Sequence, residues 1–176
     1  MIDVTFCNSV FFMQKELVKD VEHLINETGN YLNESISDIT VEIILDNSTG
    51  YEACVESVDA NEGMWPRDFE IRVSRSLLEQ EHSVILTAIA HEMVHVYQHA
   101  EGRLYQENGS FIWNDKLDNN LECIPYEGVK FSRSEYFAFP WEREAYGLER
   151  ALYEHFRELQ DKEEFFNKIF SELCLN

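Results

Sequence analysis

Hydrophobic positions recur along the chain with two periods, and the switches between them mark out the elements. Ile2 to Phe6 alternates weakly, which predicts a short strand. From Phe11 to Leu32 the spacing is helical. Leu17, Val21, Leu24, Ile25 and Leu32 recur with charged residues between them, and Gly29 and Asn30 loosen the end. Thr40 to Leu45 is β-rich and stops at the turn cluster Asp46-Asn47-Ser48-Thr49-Gly50, so Tyr51 to Val58 is expected to return as the second strand of a hairpin. Phe69-Glu70-Ile71-Arg72-Val73 alternates like a half-buried strand. Ser76 and Glu79 have capping-box spacing, and Val84 to His99 reads as one strong helix with Gly102 placed to stop it.

Beyond that helix, Tyr105 to Trp113 carries Asn108-Gly109 and predicts a hairpin or an ordered flap. Asp115 to Ser134 reads as mostly loop. Pro140 suits a helix start, Trp141 to Leu159 keeps helical spacing, and a last helix is expected from about Lys162 to Leu173. The order predicts an α+β fold: an N-terminal helix, a small, mostly antiparallel sheet, a buried central helix and C-terminal helices, with the helices on one face of the sheet.

Composition narrows the class. The 176 residues are 44% hydrophobic and 13% aromatic, which suits one packed domain over residues 1–176. Lys+Arg number 14 against 34 Asp+Glu, a formal net charge of -20. A field of that sign speaks against nucleic acid and anionic membrane as partners, favours basic polypeptides, and is expected to keep the protein monomeric. Cys7, Cys54, Cys123 and Cys174 are scattered without metal-type or disulfide-framework spacing. With no secretory pattern at the start and no apolar run near the roughly 20 residues of a membrane span, the expected location is the cytoplasm.

The chemistry sits in His91-Glu92-Met93-Val94-His95. Residues four apart share a helix face, so His91 and His95 can present two imidazole nitrogens to one metal ion. Glu92 follows the first ligand and is placed beside the ion, where a carboxylate takes a proton from a water acidified by zinc. Ile85, Leu86, Ala88, Ile89, Val94 and Val96 mark this helix as buried on more than one side. Gln98 and Glu101 stand where a metzincin would carry its glycine and third histidine, so that continuation fails twice. His99 lies too far along a straight helix to close on the same ion and reads as a polar supporting residue.

Downstream, Trp141-Glu142-Arg143-Glu144-Ala145-Tyr146 resembles the glutamate helix of the gluzincins, where a small residue follows the ligand glutamate by three positions. The resemblance spans about Phe69 to Leu159 and is of the minigluzincin type, with a general likeness to SprT-like and small phage or bacterial metallopeptidases. It implies Zn2+ held by His91, His95 and Glu142, with Glu144 as the alternative third ligand. It also implies Phe69 to Val73 as an edge strand that pairs with substrate backbone. Tyr146 replaces the aspartate that commonly orients a ligand histidine in that family. Tyr126, Tyr136, Tyr146 and His155 are candidate donors to an oxyanion, with Tyr136 preferred because it precedes the glutamate helix.

Arg143, Arg150 and Arg157 recur every seven residues among glutamates and are expected to form intrahelical ion pairs, while Trp65, Trp113 and Trp141 are expected to pack the core or cleft walls. The reading that follows is a zinc peptidase, of endopeptidase type, acting on peptide or protein. The competing reading is a weak or inactive scaffold that recognises a basic protein partner.

Overall fold

A computed structural model describes residues 2–7, 13–33, 38–47, 52–58, 65–115 and 120–174. Seven strands and four helices, with one 3-10 turn, are assigned among them. They are β1 (Asp3–Phe6), α1 (Lys15–Asn33), β2 (Thr40–Asp46), β3 (Ala53–Ser57), β4 (Asp68–Ser74), α2 (His82–Ala100), β5 (Leu104–Glu107), β6 (Ser110–Asp115), β7 (Asn120–Pro125), α3 (Arg133–Tyr136) and α4 (Pro140–Cys174), with the 3-10 turn Leu77–Glu79 before α2. Phe11 and Phe12, where the first helix was expected to open, lie outside the described residues.

Alternation decides the main sheet. β2 buries Val41, Ile43 and Leu45, β4 buries Phe69, Ile71 and Val73, and the parallel register sets them side by side as Val41↔Phe69, Ile43↔Ile71 and Leu45↔Val73. These two strands therefore take the centre of the order β1-β2-β4-β3. The expected hairpin between Thr40–Leu45 and Tyr51–Val58 does not form. β3 pairs antiparallel with β4 instead, and the segment Phe69 to Val73 is an inner strand, not an edge. The weaker apolar run Ala53-Cys54-Val55 takes the edge. The main sheet, expected to be mostly antiparallel, is mixed, with two of its three pairings parallel, whereas the second sheet is antiparallel throughout.

The polar face of the sheet carries Glu42, Glu70 and Arg72, while the apolar face packs with α1, α2 and α4 into one core. Burying that face removes apolar area from water at about 25 cal/mol per Å², the main favourable contribution to such a fold. α1 contributes Leu17, Val21, Leu24 and Ile25 to this core, and α4 contributes Ala145, Leu152 and Phe156.

α2 is apolar almost all round and lies in the middle. Its start lies two residues before the expected Val84, but the capping-box pattern at Ser76 does not cap it: Ser76 makes no side-chain cap, Leu77–Glu79 is a single 3-10 turn, and the helix opens after Glu81. The capping box occurs at Ser132 and Glu135 instead, opening α3. The end of α2 matches expectation. Gly102 adopts φ 68, its N–H donates to the His99 carbonyl and that of Arg103 to the Gln98 carbonyl, a Schellman stop. An indole lies against the Gly102 Cα, so any side chain there would meet Trp65.

β5 and β6 turn through Asn108 (φ 49) and Gly109 (φ 72), the two left-handed residues that a tight two-residue hairpin requires. The stretch Asp115 to Ser134, expected to be mostly loop, contributes β7, which pairs along the whole of β6. This second sheet and the start of α4 share a small core of Leu104, Trp113 and Trp141. The two expected C-terminal helices are one, Pro140–Cys174, because nothing between Leu159 and Lys162 breaks a helix. Along it Arg150 and Arg157 form exposed i,i+4 pairs with Glu154 and Asp161. No helix among the described residues is long and apolar enough to cross a membrane.

Candidate metal centre

α4 runs antiparallel to α2, so Trp141 and Glu144 meet Gln98, Glu142 meets His95, and Tyr146 and Glu149 meet His91. This pairing brings His91, His95 and Glu142 together. Each is buried, and one ligand atom from each lies within 4.8 Å of the others, close enough to hold a metal ion. His91 Nε2 and His95 Nε2 are 3.1 Å apart, and the Glu142 oxygens stand 3.4 Å from the first and 3.3 Å from the second. Donor atoms about 2.0–2.2 Å from a tetrahedrally coordinated ion stand about 3.3–3.5 Å from each other, so the spacing suits one shared ion.

The hydrogen bonds behind the cluster set which nitrogens face inward. His91 Nδ1 donates to a Glu149 oxygen at 2.7 Å. Gln98, fully buried, donates its amide to the Trp141 carbonyl and to Glu144, both at 3.0 Å, which turns its oxygen to His95 Nδ1 at 2.7 Å. With both δ nitrogens donating, a neutral ring at each position turns its Nε2 lone pair into the cluster, where the two atoms, 3.1 Å apart, can share a cation or, without one, a proton.

Charge favours a cation as well. Burial alone would lower the pKa of His91, but its hydrogen bonds to Glu142 and Glu149 and the charge of Glu92 outweigh it and hold the pKa above the ordinary histidine value. His95 behaves likewise through Glu142 and Glu92. Burial pushes Glu142 up, yet the bonds from both histidines bring it down to about 2, so it is a carboxylate at any working pH. Glu92 is 7% exposed, and among the described residues nothing hydrogen-bonds its carboxylate. Burial raises its pKa against the opposing pull of His95 and His91.

Glu144, the alternative third ligand, is held outside the cluster. Arg103 binds it through Nη1 at 2.8 and 3.0 Å, and the same arginine holds Glu101 at 2.7 Å, to which Asn33 of α1 donates at 2.8 Å. His99 is not in the cluster either. Burial, with the charge of His95, lowers its pKa to about 4, while its hydrogen bond to the Leu104 backbone works the other way.

Of the candidate oxyanion donors, two arrive. The Tyr136 hydroxyl hydrogen-bonds Glu142, and the Tyr146 ring lies 4.5 Å from that of His91. Burial and then the Glu142 charge push the Tyr136 hydroxyl far above its usual range, and burial with Glu142 and Glu149 pushes Tyr146 up to about 12. Tyr126 instead bonds Gln106 on the hairpin sheet, and His155 packs on Tyr31. Trp113 and Trp141 are buried in the wall below, whereas Trp65 is 48% exposed and covers Gly102.

Sequence reasoning overlooked Glu149 and the bonding role of Gln98. The signal for Gln98 was its place three residues after His95. That for Glu149 was its place seven residues after Glu142, two turns along the same face of α4. Compared with protein-family models, with curated proteins and with solved structures, the chain matches none.

Proposed function

We propose that this protein is a zinc-dependent peptidase, with His91, His95 and Glu142 as metal ligands and Glu92 as the general base. Two imidazoles and one carboxylate suit zinc better than the hard oxygen-seeking cations, and three protein ligands leave a fourth position open, the arrangement of catalytic rather than structural sites. Zinc bound there supplies Lewis acidity, acidifying a coordinated water and polarising a carbonyl.

The observation that carries the reading is Glu92: a carboxylate 7% exposed, without a hydrogen-bond partner among the described residues, and electrostatically coupled to both histidines. Withdrawing a carboxylate from most of its water without a hydrogen bond in return is costly, and packing alone does not offset it. As a base, Glu92 accepts the proton of the attacking water and passes it to the leaving amine, and its raised pKa suits both transfers. Tyr136 keeps its hydroxyl proton at neutral pH and, turned from Glu142 to the substrate, serves as the donor to the developing oxyanion. The Glu142–Ala145 spacing is the feature that carries the gluzincin resemblance, from which the peptide substrate is taken.

Unstructured basic polypeptides incubated with zinc-loaded protein are the direct test, with cleavage abolished by a chelator and restored by zinc. Glu92→Gln is expected to keep its zinc and to lose activity by about 10²-fold or more. Normal cleavage by a zinc-replete Glu92→Gln protein would remove Glu92 from the mechanism. Tight binding without any cleavage would favour a recognition scaffold.

A further inference from the structure

A wall of rings leads outward from the metal-ligand cluster and ends on a positive charge. Tyr146 lies 4.5 Å from His91, Phe137 meets Tyr146 edge-on at 5.1 Å, and the Arg133 guanidinium sits 5.2 Å over the Phe137 ring. Tyr146 and Tyr136 are 46% and 44% exposed, so this apolar wall is open to an incoming chain. Arg133 is exposed too and close enough to Tyr146 for its charge to counter that of the carboxylates on the hydroxyl.

Arg133 departs from the pattern of most arginines here: of the two, Arg133 and Arg143, without an ion pair or side-chain hydrogen bond among the described residues, Arg133 is the one stacked on the aromatic wall. Arg67, Arg72, Arg103, Arg150 and Arg157 each have a carboxylate partner, as expected in a chain with 34 acidic and 14 basic residues. Among the described residues, the Arg133 side chain has no ion pair and no hydrogen bond. The carboxylates nearby are committed elsewhere. Glu135 turns back on Ser132, whose N–H and hydroxyl it accepts at 2.8 and 2.6 Å; Glu149 holds His91; and Glu142 belongs to the cluster. Stacking on Phe137 occupies one face of the guanidinium and leaves its edge, with the forked N–H donors, free for a planar anion.

We propose that Arg133 is a specificity-determining residue which, with the Tyr146–Phe137 wall, binds a carboxylate of the peptide near the scissile bond. The carboxylate comes from an acidic side chain or from a C terminus. The inference rests on the peptidase reading for the identity of the ligand as a peptide. Three ring-to-ring steps keep the guanidinium within about 15 Å of His91, a reach of about four extended residues or fewer. The net charge of the chain does not oppose this. Surface fields fade over a Debye length of about 8 Å, whereas a forked arginine–carboxylate pair acts at contact.

Binding, not turnover, tests it. The probes are fluorescently labelled penta-alanine peptides with Glu or Gln at one position in turn, each with a free or an amidated C terminus. They are titrated into zinc-loaded Glu92→Gln protein, so a failure of catalysis does not touch the result. We expect at least one Glu/Gln pair, or the free/amidated pair, to differ by about tenfold in Kd, and the pair that differs names the source. Adding Arg133→Gln should bring that ratio to about one, Arg133→Lys should leave it intermediate, and zinc content should stay stoichiometric in both. Equal binding of all pairs, no binding of any peptide, or a preference that survives Arg133→Gln overturns the proposal. In the last case the carboxylate sits on the metal.

Discussion

His91 Nδ1 stands 2.7 Å from a carboxylate oxygen of Glu149, while one turn on His95 turns the same atom to the amide oxygen of Gln98 at 2.7 Å. The two imidazoles of one cluster are thus oriented by acceptors of different charge. Tyr146, one turn after Glu142, packs its ring on His91 and accepts no hydrogen bond from it. Glu149 makes the bond from three residues further along α4, on the stripe that carries Glu142.

Removing Glu149 should therefore weaken metal binding without unfolding the protein, since its side chain is 22% exposed and belongs to no apolar core. Loss of a carboxylate that orients a metal-ligating histidine costs about 10–100-fold in metal affinity. Glu149→Ala should show that drop in zinc competition against a chelating dye, and Glu149→Gln, which keeps an acceptor oxygen, a smaller one. Unchanged zinc affinity in Glu149→Ala would leave the hydrogen bond without this role.

Gln98 joins His95 to α4 through three hydrogen bonds from a fully buried side chain. Gln98→Leu preserves volume but strands the His95 Nδ1 proton, while the Trp141 carbonyl keeps its place in the helix. A buried group left unpaired costs about 1–3 kcal/mol, so the variant should lose about that much in urea unfolding. A loss below about 1 kcal/mol would mean that water enters and replaces the amide.

Much of this was legible locally. The four-residue spacing of His91 and His95, the uninterrupted apolar helix around them and the Gly102 stop depend on neighbours along the chain. Glu142 came from the resemblance of Trp141 to Tyr146 to a gluzincin glutamate helix. The misreadings were non-local. β3 follows β2 but pairs with β4, because the longer apolar alternation of β4 matches β2 and leaves Ala53–Ser57 the edge. β7, Asn-Leu-Glu-Cys-Ile-Pro, has weak alternation of its own and is a strand through its pairing with β6. The roles of Glu149 and Gln98 required the antiparallel docking of α4 on α2, which no single-helix pattern contains.

His99 supplies a pH dependence with a definite sign. Its folded pKa, about 4, lies below the unfolded value of 6.5. Between those values the unfolded chain takes up a proton that the folded protein refuses. The contribution is present in full above pH 6.5 and is lost as pH falls through 4. Conversion of that window gives a loss of up to about 3 kcal/mol. His91 and His95 are shifted the opposite way, so the His99 effect is read by difference. In urea titrations of metal-free protein, His99→Asn should lose less stability than the parent between pH 6.5 and 4. Parallel stability curves for the two proteins would rule the effect out.

The choice between Glu142 and Glu144 predicts opposite behaviour from residues two apart. Glu142 is 2% exposed and faces both Nε2 atoms, whereas Glu144 is 30% exposed and bound by Arg103 and Gln98. Zinc stabilises only the folded state, by about 2.7 kcal/mol at 100 times its Kd, so it should raise the melting temperature of the parent. Glu142→Ala should abolish both the zinc-induced rise and stoichiometric zinc. Glu144→Ala should keep the zinc-induced rise but start from a lower temperature, because it leaves Arg103, whose side chain is 16% exposed, short of one partner. If Glu144→Ala loses the metal and Glu142→Ala keeps it, the third ligand is misassigned and α4 must dock on α2 in another rotation.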